Sequence, residues 1–174
     1  MAYLENETIK LRALEPEDLD VLYQWENDSD LWRYGNTLAP YSRFSLREYL
    51  SDSHLDIYQS KQLRLMIVLK SGDQPIGTID LYDFDPIHSR AGVGILIDNN
   101  FRQKGLGEEA LTLIQDYTFR FLMMKQLYAF VPERNTASVR LFEKCGYVKA
   151  GTLQSWIKNN DCWENVLLMQ LIQA

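Results

Sequence analysis

The sequence predicts an α+β fold in which helices flank a mixed, mostly antiparallel sheet. Three apolar runs follow one another with only short turns between them, at Leu63–Leu69, 75–81 and 91–97. Runs of this length joined by turns such as Ser71-Gly72-Asp73 are typical of antiparallel strands. After the third run, apolar residues recur at helical spacing between 106 and 121, which predicts a helix packed on the sheet.

The N-terminal part predicts a strand followed by two helices. Residues 8–14 alternate between apolar and polar side chains, as a half-buried strand does. Pro16, with carboxylates on either side of it, is typical of a helix start. A second helix is expected from 46 to about 58, with Ser45 as its N-cap and Glu48 at the capping-box position.

The C-terminal part predicts the remaining strands around a short helix. Asn135 or Thr136 can cap this helix, and Gly146 can end it as a left-handed residue. The predicted strands are 126–131, 147–158 and 163–172. In chain order, the elements are a strand, two helices, three antiparallel strands, a helix, a strand, a helix and two strands.

Composition favours one globular domain over residues 1–174 and excludes several classes of protein. Hydrophobic residues make up 46% of the chain, enough for a substantial core. A formal net charge of −6 disfavours nucleic acid as a partner, because phosphate binding needs a basic surface. The two cysteines and two histidines have no metal-ligand spacing, so no metal is expected. No apolar run approaches the roughly 18 residues that span a bilayer, so we expect a cytoplasmic protein without a membrane partner.

The stretch 95–107 predicts a phosphate-binding loop. A β-branched strand ends at Ile97, and Arg102, Lys104, Gly105 and Gly107 precede a long amphipathic stretch. A helix N-terminus presents unpaired backbone N–H groups at the positive end of its dipole, and glycines let an anion approach them. The loop lacks the Gly-Lys-Ser/Thr sequence of a nucleotide P-loop and the Gly-x-Gly-x-x-Gly fingerprint of a dinucleotide site.

Three segments resemble the GNAT (GCN5-related) N-acetyltransferases. They are Arg102–Gly107, whose Arg-x-x-Gly-x-Gly resembles the acetyl-CoA loop, Asn135–Tyr147, and Leu11–Leu19, which is similar to the start of the ribosomal-protein and spermidine N-acetyltransferase branch. The resemblance implies the GNAT acyl-CoA acyltransferase fold, with a splayed strand pair and about four flanking helices. It also implies transfer of an acetyl group from acetyl-CoA to a primary amine. A homodimer is an expectation from the family alone.

The resemblance implies where acetyl-CoA binds. The pyrophosphate would lie on the amides of Gln103–Gly107, and the pantetheine arm would bond the backbone of Ile95–Ile97 like an added strand. Asn135 can bond the arm or act simply as a helix cap. The expected cofactor-binding residues are Ile95, Leu96, Ile97, Arg102, Gln103, Lys104, Gly105, Leu106, Gly107, Asn135 and Ser138.

The catalytic groups are less defined. The resemblance implies direct attack of the amine on the thioester, with a backbone N–H near Leu96 or Ile97 as donor to the developing oxyanion. The family places a tyrosine as acid at Phe142, which carries no proton to donate. Candidate side chains for proton transfer are Ser138, Glu164 and Asp80, with Tyr82 and Tyr128 as further tyrosines on strands. The alternative function is a catalytically silent acyl-CoA-binding module.

Aromatic residues are the candidates for the acceptor pocket, which in this fold lies between the first helices and the last strands. They are Trp32, Tyr34, Tyr41 and Trp156, and each can also be an ordinary core aromatic. The spermidine branch carries acidic residues near the positions of Thr37-Leu38 and Gly92, which this sequence lacks. The expected partner is therefore a small-molecule amine, a polyamine among them, or a peptide N-terminus.

Overall fold

The computed structural model describes residues 3–32, 37–53 and 55–174, and its strands form one seven-stranded sheet in the order β1-β2-β3-β4-β5-β7-β6. Tyr34 and His54 lie outside the described residues. The strands are β1 (Ile9–Ala13), β2 (Leu63–Leu69), β3 (Gln74–Asp85), β4 (Arg90–Ile97), β5 (Gln126–Pro132), β6 (Val148–Asn159) and β7 (Cys162–Ile172). The α+β prediction is confirmed, and each predicted strand is present.

Helices cover both faces of this sheet. They are α1 (Leu19–Glu26), α2 (Ser29–Trp32), α3 (Arg43–Asp52), α4 (Ile57–Ser60), α5 (Leu106–Asp116) and α6 (Thr136–Lys144). Within the described residues, α2 and α4 are single turns of four residues, so four helices have eight residues or more. A short 3-10 turn at Pro16–Asp18 leads into α1, and a π-helical turn at Tyr117–Phe121 extends α5.

The predicted second helix differs from the structure at both ends. Ser42, not Ser45, is the N-cap of α3, because its backbone is extended and its hydroxyl accepts a hydrogen bond from Ser45 N–H at 3.0 Å. The helix stops at Asp52, and Asp56 caps the separate turn α4 through hydrogen bonds from two backbone amides. A second cap within the predicted span therefore divides one expected helix into two.

The centre of the sheet opens between β4 and β5. β4 pairs antiparallel with β3 along its length, and β5 pairs antiparallel with β7. The two strands pair with each other in parallel over only three positions, from Arg90 with Gln126 to Gly92 with Tyr128. Beyond Gly92 they have no shared pairs, so the predicted splayed strand pair is confirmed, with Gly92 and Tyr128 at its apex.

Cross-strand register assigns the two faces of the sheet. Leu11, Ile67, Gly77 and Ile97 form one row and face the main core, which also contains the buried side chains of α5. The next row, through Met66 and Leu96, faces the smaller core under α1 and α3. Residues that alternate along each strand therefore separate a side with α5 and α6 from a side with α1 and α3.

A buried ion pair holds the start of α1 against β1. Asp18 is 3% exposed, and its carboxylate accepts two hydrogen bonds from the Arg12 guanidinium, at 2.7 and 2.9 Å. It also accepts from the backbone N–H of Glu15 at 2.8 Å. The hydrogen bond with Asp18 is the largest cause of a raised pKa for Arg12.

We expect Asp18→Ala to lower the free energy of unfolding by about 2–3 kcal/mol, because it leaves Arg12 partly buried without its partner and opens the capping box of the 3-10 turn before α1. Urea unfolding followed by circular dichroism measures the change. Lys10→Ala is the control, since it removes the more exposed ion pair of Lys10 with Asp73 and lies, like Arg12, on β1. Equal loss in both variants would contradict the structural role of Asp18.

Candidate active site

The loop between β4 and α5 leaves a row of backbone amides without protein acceptors. Gly105, the residue before α5, has a left-handed backbone with φ of 78°, and no side chain caps this helix start. Among the described residues, none accepts a hydrogen bond from the backbone N–H groups of Gln103–Glu108. We call these groups the amide cradle. They lie at the positive end of the α5 dipole, so they can bind an anion such as a phosphate.

Two glycines shape the cradle for different reasons. At Gly105, the positive φ would strain any residue with a Cβ by about 1 kcal/mol or more. At Gly107, a Cβ would lie 3.2 Å from Leu141 of α6 and 3.8 Å from Ile97 of β4. Glycine at 107 therefore lets the first turn of α5 approach both neighbours closely.

Charged side chains beside the cradle are held in place. Arg102 Nε donates to the carbonyl oxygen of Ile97 at 2.9 Å, and Lys104 Nζ donates to that of Asn100 at 2.9 Å. Lys104 also lies 5.2 Å from the centre of the Phe101 ring. Both cations are exposed, so they add positive charge close to the amides.

The open edge of β4 carries unpaired backbone groups. Asp98 N–H donates to a carbonyl group of β3 at 2.8 Å. The Leu96 carbonyl also points at β3, because its oxygen lies 2.0 Å from where a Cβ on Gly77 would be. Since alternate residues of a strand face opposite neighbours, the backbone of Ile95 and Ile97 faces the opening. An extended ligand can therefore bond the backbone of Ile95 and the N–H of Ile97, whose carbonyl oxygen already accepts from Arg102. The backbone of Leu96 belongs to the sheet.

The edge of β5 that faces β4 has few backbone donors. Gln126 N–H donates to the carbonyl oxygen of Ser89 at 3.1 Å, on the β4 side. By the same alternation, Phe130 and Pro132 face the opening. Pro132 has no N–H, which suits an unpaired edge. Phe130 is thus the residue of this edge with an N–H near the apex.

Tyr82 lies across the apex of the opening. It shares one row of the sheet with Gly92 and Tyr128. A Cβ on Gly92 would lie 2.2 Å from the Tyr82 ring, so the ring lies flat on the glycine, and it meets the Tyr128 ring edge to face at 6.0 Å. Burial raises the pKa of the Tyr82 phenol, Tyr128 adds to the rise, and the Phe130 backbone N–H opposes it. Two glycines on one face of β4 were the sequence signal for this close approach.

An ion cluster lies one row from Tyr82, on the same face. Arg64 donates to Asp80 through Nε at 2.6 Å and a terminal nitrogen at 3.1 Å, and to Glu26 at 2.8 Å. Its guanidinium carbon lies 5.5 Å from the centre of the Tyr49 ring. Burial alone would lower the pKa of Arg64, but Asp80 outweighs it and raises that pKa. The candidate base Asp80 is therefore held by Arg64 at both carboxylate oxygens.

Two of the predicted acceptor residues lie together at the end of α1. Trp32 Nε1 donates to the Glu26 carbonyl oxygen at 2.8 Å, and the Tyr41 backbone exchanges hydrogen bonds with the Asn27 side chain at 2.8 and 3.0 Å. Trp156 is 62% exposed on β6, and no hydrogen bond or ring contact among the described residues joins it to Trp32 or Tyr41.

A hydrogen bond ties α1 to the cradle loop. Trp25 Nε1 donates to Asp98 at 2.9 Å, and Asp98 also accepts from the backbone N–H of Asn100 at 2.9 Å. Burial would raise the pKa of Asp98, but these hydrogen bonds outweigh it, so that pKa is lowered. Sequence reasoning missed this link because it joins residues 73 positions apart.

The loop before α6 is positioned by polar contacts. Asn135 caps the helix by accepting from Ser138 N–H at 3.3 Å, and no described residue accepts from its side-chain amide group. Glu164 is 7% exposed and accepts from the backbone N–H of Arg134 at 3.1 Å. The structure therefore places Glu164 as a support for this loop. Phe142 is 3% exposed and packs edge to face on Tyr147, with ring centres 4.9 Å apart.

Comparison with known proteins identifies the family. The sequence model described as Acetyltransferase (GNAT) domain matches residues 8–148, most of the chain. The chain belongs to the GNAT acetyltransferase family. It is an acetyl-CoA-dependent N-acetyltransferase that transfers the acetyl group to an amine. The resemblance found in the sequence is confirmed, and nothing supports the alternative of a silent module.

Relatives of this GNAT protein align over nearly its whole length. It is 30% identical to the spermidine N(1)-acetyltransferase of Escherichia coli (strain K12), over 95% of this chain and 87% of that protein. The spermidine N(1)-acetyltransferase of Vibrio cholerae serotype O1 is 28% identical over 97% and 95%. The crystal structure of spermidine N-acetyltransferase from Vibrio cholerae in complex with CoA and spermine gives a TM-score of 0.85 at 28% identity, over 97% of each chain.

The described residues contain neither a membrane-spanning helix nor a cluster of metal-ligating side chains. No helix among them is both long and apolar enough to cross a membrane. No group of three or more histidine, cysteine, aspartate or glutamate side chains within this part of the chain is arranged to hold a metal ion.

The two cysteines should differ in reactivity. Burial raises the pKa of the Cys145 thiol to about 11, whereas the Cys162 side chain is exposed. Roughly one Cys145 thiol in a thousand is then ionised at pH 8, and this fraction rises tenfold per pH unit until about pH 11. We expect the native protein to take up one equivalent of a thiol reagent rapidly at pH 8, and Cys162→Ser to abolish that fast phase. A fast phase that persists in Cys162→Ser would contradict the burial of Cys145.

Proposed function

We propose that the chain acts as a single domain over residues 1–174, in which the amide cradle and the opening between β4 and β5 bind acetyl-CoA. The observation that carries this is the row of bare amides from Gln103 to Glu108, next to an unpaired strand edge. The cradle amides, with Arg102 and Lys104, would bind the diphosphate. Ile95 and Ile97 would bond the amides of the pantetheine arm.

Acetyl-CoA supplies a thioester, whose carbonyl carbon is open to attack by an amine. The opening between β4 and β5 would hold the two reactants in the orientation that attack requires. The backbone N–H of Ile95 or Ile97 is the proposed donor to the carbonyl oxygen, because both face the opening. Asn135 has an uncommitted side-chain amide for the arm, and Ser138 supports Asn135 through its backbone.

We propose a small primary amine as the acceptor, with polyamines of the spermidine class as the first candidates. The ion cluster supports this, because Glu26 and Asp80 carry two negative charges against one positive charge on Arg64. The net negative charge lies on the face that also carries Trp32 and Tyr41, and it attracts a cationic amine. The similarity to spermidine N(1)-acetyltransferases over nearly the whole chain adds support.

A peptide N-terminal amine is the second candidate. It is favoured by position 92, where this sequence has a glycine covered by the Tyr82 ring and the spermidine branch carries an acidic residue nearby. The homodimer expected from the family stays a prediction, which analytical ultracentrifugation can test.

We expect Gly105→Val to weaken CoA binding about tenfold or more, because a β-branched residue disfavours the left-handed backbone and blocks access to the amides. Isothermal titration with CoA measures this. Gly72→Val is a closely matched control, since Gly72 has φ of 82° and equally open surroundings in the turn between β2 and β3. The placement of the cofactor would be wrong if both variants bound CoA equally well.

We expect acetyl transfer to spermidine to exceed transfer to a neutral N-terminal peptide by about tenfold or more in kcat/KM, because the ion cluster of Glu26, Asp80 and Arg64 has a net negative charge. A screen of polyamines, amino acids, aminoglycosides and peptides for release of free CoA tests this, with acetyl-CoA alone as the blank. Preference for the peptide would replace the first candidate by the second. CoA release no faster than the blank with every amine would refute both.

A further inference from the structure

One tyrosine hydroxyl lies where the two central strands separate. The Tyr82 ring extends from β3 across Gly92 towards β5, and its Cε1 is 3.9 Å from where a Cβ on Gly94 would be. The ring therefore runs along β4 past the last paired position, which is Gly92 with Tyr128. The ring covers the start of the opening, from Gly92 to Gly94, on the side of the sheet that carries α1 and α3.

The surroundings of this hydroxyl leave its proton available. The Phe130 backbone N–H, which faces the opening, interacts with the phenol oxygen. No acceptor among the described residues takes the phenol proton. The oxygen therefore has a donor that would stabilise it after proton loss, and a proton without a partner.

We propose that the Tyr82 hydroxyl donates a proton to the departing sulfur, in place of the tyrosine that the family resemblance puts at Phe142. This rests on the proposed binding of acetyl-CoA in the opening. As the C–N bond forms and the C–S bond breaks, the sulfur keeps the electron pair and Tyr82 passes its proton to it. The proton that the attacking nitrogen then loses returns to the phenolate through water, so no other reactant is needed.

Other tyrosines are less suited to this role. The charges that act on Tyr128 are those of Asp83, Arg90 and Asp85, at the closed end of the strand pair. Tyr147 has a buried hydroxyl without a hydrogen-bond partner among the described residues, but it lies in the main core. Burial raises the pKa of the Tyr147 phenol. The side-chain amide of Gln115, which lies near this phenol, donates to the Cys145 carbonyl oxygen at 3.2 Å.

Tyr82→Phe tests the proposal by binding as well as by rate. The variant keeps the ring on Gly92 and removes the hydroxyl alone. We expect wild-type protein to bind CoA about three- to tenfold more tightly than desulfo-CoA, as one hydrogen bond to sulfur would give, and Tyr82→Phe to lose that preference. We expect kcat to fall about a hundredfold, with little change in the KM for acetyl-CoA.

Tyr128→Phe and Tyr147→Phe are matched comparisons that each lose one hydroxyl, and both should keep the preference for CoA. Gly92→Ala is a second test, because its Cβ displaces the Tyr82 ring without removing the hydroxyl, and it should also lose the preference. The proposal would be overturned if Tyr82→Phe still bound CoA more tightly than desulfo-CoA, or if wild type showed no such preference. Loss of the preference in Tyr147→Phe alone would also overturn it. Failure of wild type to bind either ligand would refute the proposed function itself.

Discussion

The short parallel pairing of β4 with β5 is the constraint on which the site depends. Each strand is tied to an antiparallel neighbour along its length, but the two share only three pairs. Past Gly92, both present backbone groups without strand partners, which a folded protein ordinarily avoids. The protein limits this cost with Pro132 on one edge. On the other edge, the backbone of Ile95 and the N–H of Ile97 remain available to a ligand that can act as a strand.

The amide cradle could be predicted because it depends on local sequence. A β-branched strand, two glycines and an amphipathic stretch define a strand, a loop and a helix start within 13 residues. The ends of α3 were harder, because Ser42 and Ser45 stand three residues apart and either fits an N-cap. The deciding factor is the extended backbone of Ser42, and sequence does not give backbone angles.

The ion cluster was less predictable because distant elements build it. Glu26, Arg64 and Asp80 come from α1, β2 and β3, and their contacts follow from strand register and helix packing. From sequence alone, Asp80 was a candidate base, since nothing showed that Arg64 would hold both of its oxygens. The glycines of β4 did indicate a close neighbour, but not that Tyr82 would be that neighbour.

The ion cluster also bears on how the amine loses its proton. If Asp80 accepted that proton, it would lose the negative charge that compensates the partly buried guanidinium of Arg64, and leaving a buried charge without its partner is costly. Glu26 shares that guanidinium through one carboxylate oxygen, so a proton on Glu26 would weaken the same cluster. Proton removal through water avoids this cost and leaves the cluster intact. In the proposed function, the two carboxylates would attract a cationic amine by their fixed charge. Chemical steps that need a mobile proton would then fall to groups outside the cluster.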